Sequence, residues 1–130
     1  MKKIIPFLLS LLVLAGCAGP AVQDAGYRQI GMDEAMEIME TESDYIILDV
    51  RTPAEFSEKR IPGAINVPND SIGSDEIAEL PDKEQLILVY CRSGNRSKQA
   101  SEKLVKLGYT NIVEFGGIND WPGETISGAE

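Results

Sequence analysis

One stretch of the chain has the residue types and spacing for nucleophilic chemistry: Tyr90-Cys91-Arg92-Ser93-Gly94-Asn95-Arg96-Ser97. The thiol of Cys91 is the candidate nucleophile. Gly94 permits the sharp backbone turn that would bend the chain around it. Successive amides from Arg92 to Ser97 are expected to point inward as a nest, and the start of a following helix adds positive potential. Arg92 and Arg96 contribute full charges, and Ser93, Asn95 and Ser97 contribute polar groups. Such a ring favours a thiolate over a thiol. It has to do so without an imidazole, because the 130 residues include no histidine. Ser-His and Cys-His catalysis and His-ligated zinc are thereby excluded.

The spacing separates two chemistries. A cysteine, five residues and then an arginine would grip a tetrahedral oxyanion, as phosphatases and arsenate reductases do. Here the sixth position after Cys91 is Ser97, and the arginine comes one residue earlier, at Arg96. The shorter loop makes a smaller cradle, better matched to one sulfur atom than to phosphate. The only other cysteine is Cys17, so no partner within the folded part can resolve Cys91 as an internal disulfide.

A strand must deliver Cys91 and a helix must follow it. Leu86 to Tyr90 is a continuous apolar run, as in a strand buried on both faces of a parallel sheet. Ser97 to Leu107 reads as a helix with Ala100, Leu104 and Leu107 on one face and Gly108 as its stop. Further strands are expected at Tyr27–Ile30, Tyr45–Leu48, Ala64–Val67 and Ile112–Phe115. Met32, Ala35, Met36 and Met39 form a helical stripe read as core packing. Ser71 to Leu80 is also read as helical, and Gly116-Gly117 as a tight turn near the pocket. Strands alternating with helices imply an α/β fold, a mainly parallel sheet of about five strands covered on both faces.

Three residues before the nucleophile are expected to support it. Thr52-Pro53-Ala54-Glu55 has the form of a capping box, which makes Glu55 a helix-start residue. Asp49, at the end of a buried strand, is expected to satisfy backbone donors. Arg51 is expected to pair with Asp49 or Glu55 and brace the loops.

Composition limits the remaining classes. With 43% hydrophobic and 25% charged residues the chain is suited to a single folded domain. A net charge of −9 argues against nucleic-acid binding. No metal or organic cofactor is implied. At the N-terminus, Lys2 and Lys3 precede an apolar run of 12 residues, Ile4 to Ala15, too short to span a bilayer. It ends Leu14-Ala15-Gly16-Cys17, which looks like a bacterial lipobox. Residues 1–16 are then a signal peptide, 17–26 the lipidated Cys17 with a flexible tether, and 27–130 the folded domain. Cleavage removes two lysines and no acid, leaving 10 basic residues against 21 acidic ones, a charge of −11. Anionic lipid repels such a surface, so the acyl chains rather than the fold would hold the protein on an extracytoplasmic membrane face.

The sequence resembles a single-domain rhodanese. The resemblance rests on ordered blocks: Leu48-Asp49-Val50-Arg51, Glu55-Phe56, Ile61-Pro62-Gly63-Ala64-Ile65-Asn66-Val67-Pro68, Val89 to Ser97, and Gly116-Gly117 with Trp121. It implies that Cys91 accepts a sulfane sulfur from a small donor such as thiosulfate. The persulfide would pass it to a thiol, cyanide or a protein acceptor. It also implies that the loop Arg92–Ser97 holds substrate and persulfide. A non-catalytic or sulfur-carrying binding module of the same fold is the alternative. One departure is Lys59-Arg60, where the family usually has Gly-His, which changes the site rim or surface charge.

Overall fold

The computed structural model describes residues 26–128. Its order is β1 (Arg28–Gln29), α1 (Met32–Thr41), β2 (Tyr45–Asp49), α2 (Pro53–Glu58), β3 (Ile65–Asn66), β4 (Leu86–Cys91), α3 (Asn95–Lys106) and β5 (Ile112–Gly117). Short 3-10 turns follow β3, at Asn69–Ser71, and β5, at Ile118–Asp120. The strands form one sheet in the order β1-β5-β4-β2-β3, with every pairing between them parallel.

The two-residue period of a strand sorts the apolar residues into two cores. Leu48, Ile87, Val89, Cys91 and Ile112 face α3, packing with Ala100 and Leu104. Ile47, Leu88, Tyr90, Val113 and Phe115 face the other way, against Ala35 of α1. β4 is the middle strand, and Ile87 to Cys91 are each no more than 1% exposed. The methionine stripe on α1 lies over the second core, with Met32 and Met39 half-buried and Ala35 fully buried.

The chain leaves β2 toward β3 on one side and leaves β4 toward β5 on the other. The loops after β2 and β4 therefore diverge, and a crevice opens at their carboxyl ends. This is where open α/β sheets bind ligands. Asp49 pairs with Tyr90 in register, so the Asp49–Arg51 segment and the Cys91 loop stand side by side.

Two expectations need correction. Ser71–Leu80 is not a helix. After the 3-10 turn it runs irregularly, with Ile72, Ile77 and Leu80 each plugged into the α3-side core. Those three residues are five and three apart, which is not a helical stripe, and a helix would bring acidic Asp75 and Glu76 inward. Gly116 and Gly117, expected to form a tight turn, instead belong to β5 itself.

Candidate active site

β4 carries Cys91 to the crevice. The chain then turns at Gly94, whose φ of +108° puts it in the left-handed region, where a side chain would be strained. α3 starts at the next residue. The result is a sulfur folded under its own loop. The backbone N–H of Gly94 donates to Cys91 Sγ at 3.0 Å. The Ser97 hydroxyl lies 3.4 Å from the same sulfur. Cys91 is 1% exposed, yet its sulfur meets polar groups rather than hydrocarbon alone. Among the loop amides, Gly94 is the one that donates to it. Arg92, Ser93 and Asn95 are exposed at the rim.

β5 supplies the back wall. Gly117 pairs with Cys91, and a β-carbon at Gly117 would fall 2.1 Å from the Arg92 carbonyl oxygen and 2.5 Å from the Ser93 nitrogen. Both obstacles are backbone, so the loop itself would have to move. Gly117→Ala is expected to lower stability by about 1–3 kcal/mol and to displace the Cys91 loop. Amide chemical shifts at 92–97 that match the parent would contradict that displacement.

The capping box forms as expected and does a second job. Glu55 N donates to Thr52 Oγ1 at 3.2 Å, and Thr52 N donates to Glu55 Oε1 at 3.0 Å. The carboxylate so fixed receives Arg96 in a bidentate pair, Nη1 to Oε1 at 2.8 Å and Nη2 to Oε2 at 3.1 Å. Arg92 stands 3.7 Å from the same carboxylate, with an exposed side chain. Glu55 thus links α2 to both arginines. Arg96 braces α3 against α2.

The hydrogen bonds from Arg96 hold the Glu55 carboxyl down at about 2, against an ordinary value of 4.5, while partial burial opposes the shift. A carboxyl lowered in the folded state stabilises above its unfolded value and loses that contribution as pH falls through the folded one. The parent's stability advantage over Glu55→Gln should therefore be full above pH 4.5 and shrink between pH 4.5 and about 2. Urea midpoints of both proteins across that window would show it. A constant difference would mean the pair is not formed.

Asp49 and Arg51 form a buried pair, Nη2 to Oδ2 at 2.6 Å. Asp49 also accepts from Arg51 N at 2.9 Å and from the Tyr90 hydroxyl at 2.6 Å. Arg51 thus pairs with Asp49 rather than Glu55, and it donates onward to the Lys59 carbonyl. Burial, and then the neighbouring Asp49 charge, push the Tyr90 phenol above its ordinary range, so it remains a neutral donor. These residues brace the crevice and do not touch the sulfur.

Lys59-Arg60 divides into two roles. Lys59 is exposed and lines a polar cleft of about 190 Å³ with Arg51, Glu55, Glu58, Arg92, Ile118 and Asn119. Arg60 is buried, stacks 4.6 Å from the Phe56 ring and donates to the carbonyls of Phe56 and Gly128. It ties the C-terminal segment to α2. A larger open groove, lined by Phe56, Arg60, Ala64 and Ile126 among others, lies away from Cys91.

Sequence reasoning missed Glu114. It sits in β5, 2% exposed, and its Oε2 accepts from the Ser97 hydroxyl and, at 3.0 Å, from Gly116 N. The signal was available: Ile112-Val113-Glu114-Phe115 places one acid at a core-facing position of an apolar run. Among the described residues no group of three or more His, Cys, Asp and Glu could hold a metal.

Fold and site together define a class: parallel α/β proteins with a cysteine at the end of the middle strand, enclosed by a glycine-turned loop that opens a helix. The rhodanese-like domain model matches residues 32–124, and the chain belongs to that family. Thiosulfate sulfurtransferase PspE of Escherichia coli is 37% identical over 73 residues, 56% of this chain and 70% of the relative. A sulfurtransferase of Allochromatium vinosum is 39% identical over 79 residues, 60% of this chain and 72% of the relative. Among solved structures, a rhodanese with anions from E. coli superposes with a TM-score of 0.59 at 35% identity, covering 65% of this chain and 99% of that one. A prokaryotic membrane lipoprotein lipid attachment site matches residues 1–18. Cys17 and the apolar run before it lie outside the described residues. No helix among the described residues is long and apolar enough to cross a membrane.

Proposed function

We propose that this chain is a sulfurtransferase that moves a sulfane sulfur through a persulfide on Cys91. The observation that carries the reading is the seat of the sulfur, with the Gly94 N–H at 3.0 Å and the Ser97 hydroxyl at 3.4 Å. The Gly94 N–H donates to the sulfur and can stabilise it as an anion, the Ser97 hydroxyl accepts from the thiol while it donates to Glu114, and the enclosure keeps competing water away. The thiolate attacks the outer sulfur of a donor such as thiosulfate. The donor's S–S bond breaks, its electron pair leaves with sulfite, and a new S–S bond forms at Cys91. The acceptor (a thiol, cyanide or a protein) then attacks the outer sulfur, and the electron pair returns to Cys91. Donors enter past the exposed rim of Arg92, Ser93 and Asn95, where Arg92 meets their negative charge. Ser93 to Ser97 hold the persulfide.

The proposal extends to place. Residues 1–16 are removed, Cys17 carries the lipid, and 17–26 tether the folded domain of 27–130 to an extracytoplasmic face of a bacterial membrane. Fully extended, the nine residues 18–26 reach at most about 30 Å, so the site works close to that surface.

The test is to incubate the full chain with thiosulfate and weigh the peptide that contains Cys91. Gain of one sulfur atom, followed by thiocyanate release on adding cyanide, is the expected result. No gain and no thiocyanate sinks the reading. Turnover of an aryl phosphate or of arsenate instead would move the protein to the rival chemistry.

A further inference from the structure

We propose that Glu114 is a positioning residue that takes the Cys91 proton through the Ser97 hydroxyl, in place of the histidine this chain lacks. Three side chains form a continuous line behind the loop. Cys91 Sγ is 3.4 Å from Ser97 Oγ, and Ser97 Oγ donates to Glu114 Oε2. Cys91, Ser97 and Glu114 are 1%, 0% and 2% exposed. Among the described residues Glu114 pairs with no cation; its carboxylate accepts from the Ser97 hydroxyl and the Gly116 N–H. A carboxylate in the α3-side core, where Ile112 on the same strand is apolar, is costly to keep without a use.

The chemistry follows from the single proton on the serine hydroxyl. In one state Cys91 carries S–H, Ser97 donates to Glu114, and the carboxylate is charged. In the other, the thiol proton passes to Ser97 Oγ while the Ser97 proton passes to Glu114. This leaves a thiolate accepting from Ser97 beside a neutral carboxyl. One negative charge is conserved, no bond other than O–H and S–H changes, and nothing is oxidised. Full ionisation of both groups would place two anions side by side in a dry site, so the two protonations are linked. The other charged groups around the line are on the mouth side: Arg96 and Arg92 against Glu55, and Asp49 against Arg51. None of them hydrogen-bonds to Cys91, Ser97 or Glu114 among the described residues.

This inference deepens the sulfurtransferase reading and rests on Cys91 being its nucleophile, but its test needs no sulfur transfer. Iodoacetamide alkylation of the Cys91 peptide in the full chain, followed by mass from about pH 5 to pH 9, reads the thiolate directly. The parent is expected to show a pH-independent plateau of reactivity below the final thiol ionisation, because the proton has an internal acceptor. In Glu114→Gln the amide oxygen still accepts from Gly116 and Ser97 but holds no proton. Its rate should fall about tenfold for each pH unit over the same range. A glutamate that merely repels the thiolate predicts the reverse, faster alkylation in Glu114→Gln at every pH, and that result overturns the proposal. Ser97→Ala, which removes the relay and only shrinks a side chain, covers the case in which Glu114→Gln does not fold. It should lose the plateau, and Ser97→Thr should restore it. A plateau kept in Ser97→Ala, or absent from the parent, also overturns the proposal. Sulfur gain by the parent from thiosulfate is measured separately: a parent that gains sulfur but shows no plateau overturns the relay alone, and a parent that gains none overturns the sulfurtransferase reading.

Discussion

Replacing Asp49 by alanine should lower the unfolding free energy by about 3–5 kcal/mol, the usual loss when one member of a buried ion pair is removed. Asp49 is 0% exposed and Arg51 4%. In the parent, the carboxylate accepts from Arg51 N, Nε and Nη2 and from the Tyr90 hydroxyl. Alanine strands all of these. The guanidinium keeps its charge and loses its counterion. The Tyr90 hydroxyl keeps one partner, as acceptor from Ile61 N at 3.1 Å, and loses its own acceptor. Asp49→Asn retains shape and some hydrogen bonds, and should fall between parent and alanine. Urea denaturation measures this, since a shift of midpoint at constant slope reports stability. A loss below about 1 kcal/mol, the range of an exposed pair, would mean that the crevice is not braced in this way. Because Arg51 also holds the Lys59 carbonyl, the α2-to-β3 connection should loosen with it, and with it the lower rim of the polar cleft.

Replacing Cys91 by serine should abolish sulfur transfer, by at least about a thousandfold in thiocyanate production. The change is one atom. A serine hydroxyl fits the same space and can still receive the Gly94 N–H. It is a far weaker nucleophile toward divalent sulfur, and it forms no persulfide. Stability should move by no more than about 1 kcal/mol, because neither the Asp49–Arg51 pair nor the Gly117 contact is disturbed. The contrast between these substitutions is informative. Asp49→Ala should unsettle the fold while its surviving folded fraction retains the cysteine, whereas Cys91→Ser should leave a folded protein that gains no sulfur. Thiocyanate at the parent's rate from the Cys91→Ser protein would place the chemistry elsewhere on the chain.

A thiolate needs donors and somewhere for its proton to go. The loop amide of Gly94 donates to the sulfur, and the Ser97 hydroxyl accepts from the Cys91 thiol while it donates to Glu114. The arginines, which look in sequence like the charges that activate the thiol, are largely engaged with Glu55. Their position makes the rim less cationic than the residue types alone imply. A donor anion approaching Arg92 competes with Glu55 at 3.7 Å.

Much of this was legible before any coordinates. The apolar run at Leu86–Tyr90 and the glycine at 94 placed Cys91 at a strand-to-helix corner. The capping box at Thr52–Glu55 formed as its spacing required. The Ser71–Leu80 segment is not the expected helix, because Ile72, Ile77 and Leu80 are all buried at a spacing that does not fit one helical face. Glu114 is not marked by the strand pattern at Ile112–Phe115, because the Ser97 hydroxyl that reveals its role lies 17 positions away in the chain.

By itself, the order of residues determined the parallel α/β architecture, the cysteine-bearing corner and the absence of an imidazole base. Each of these depends on short-range rules: side-chain period, capping, glycine conformation and which side chains exist at all. Only the tertiary structure decided the partners, giving Arg51 to Asp49, Arg96 to Glu55 and Ser97 to Glu114. Those residues lie up to 41 positions apart in the chain. Their meeting is set by how β2, β4 and β5 align in register and by where α2 and α3 come to rest against them, which no local pattern encodes.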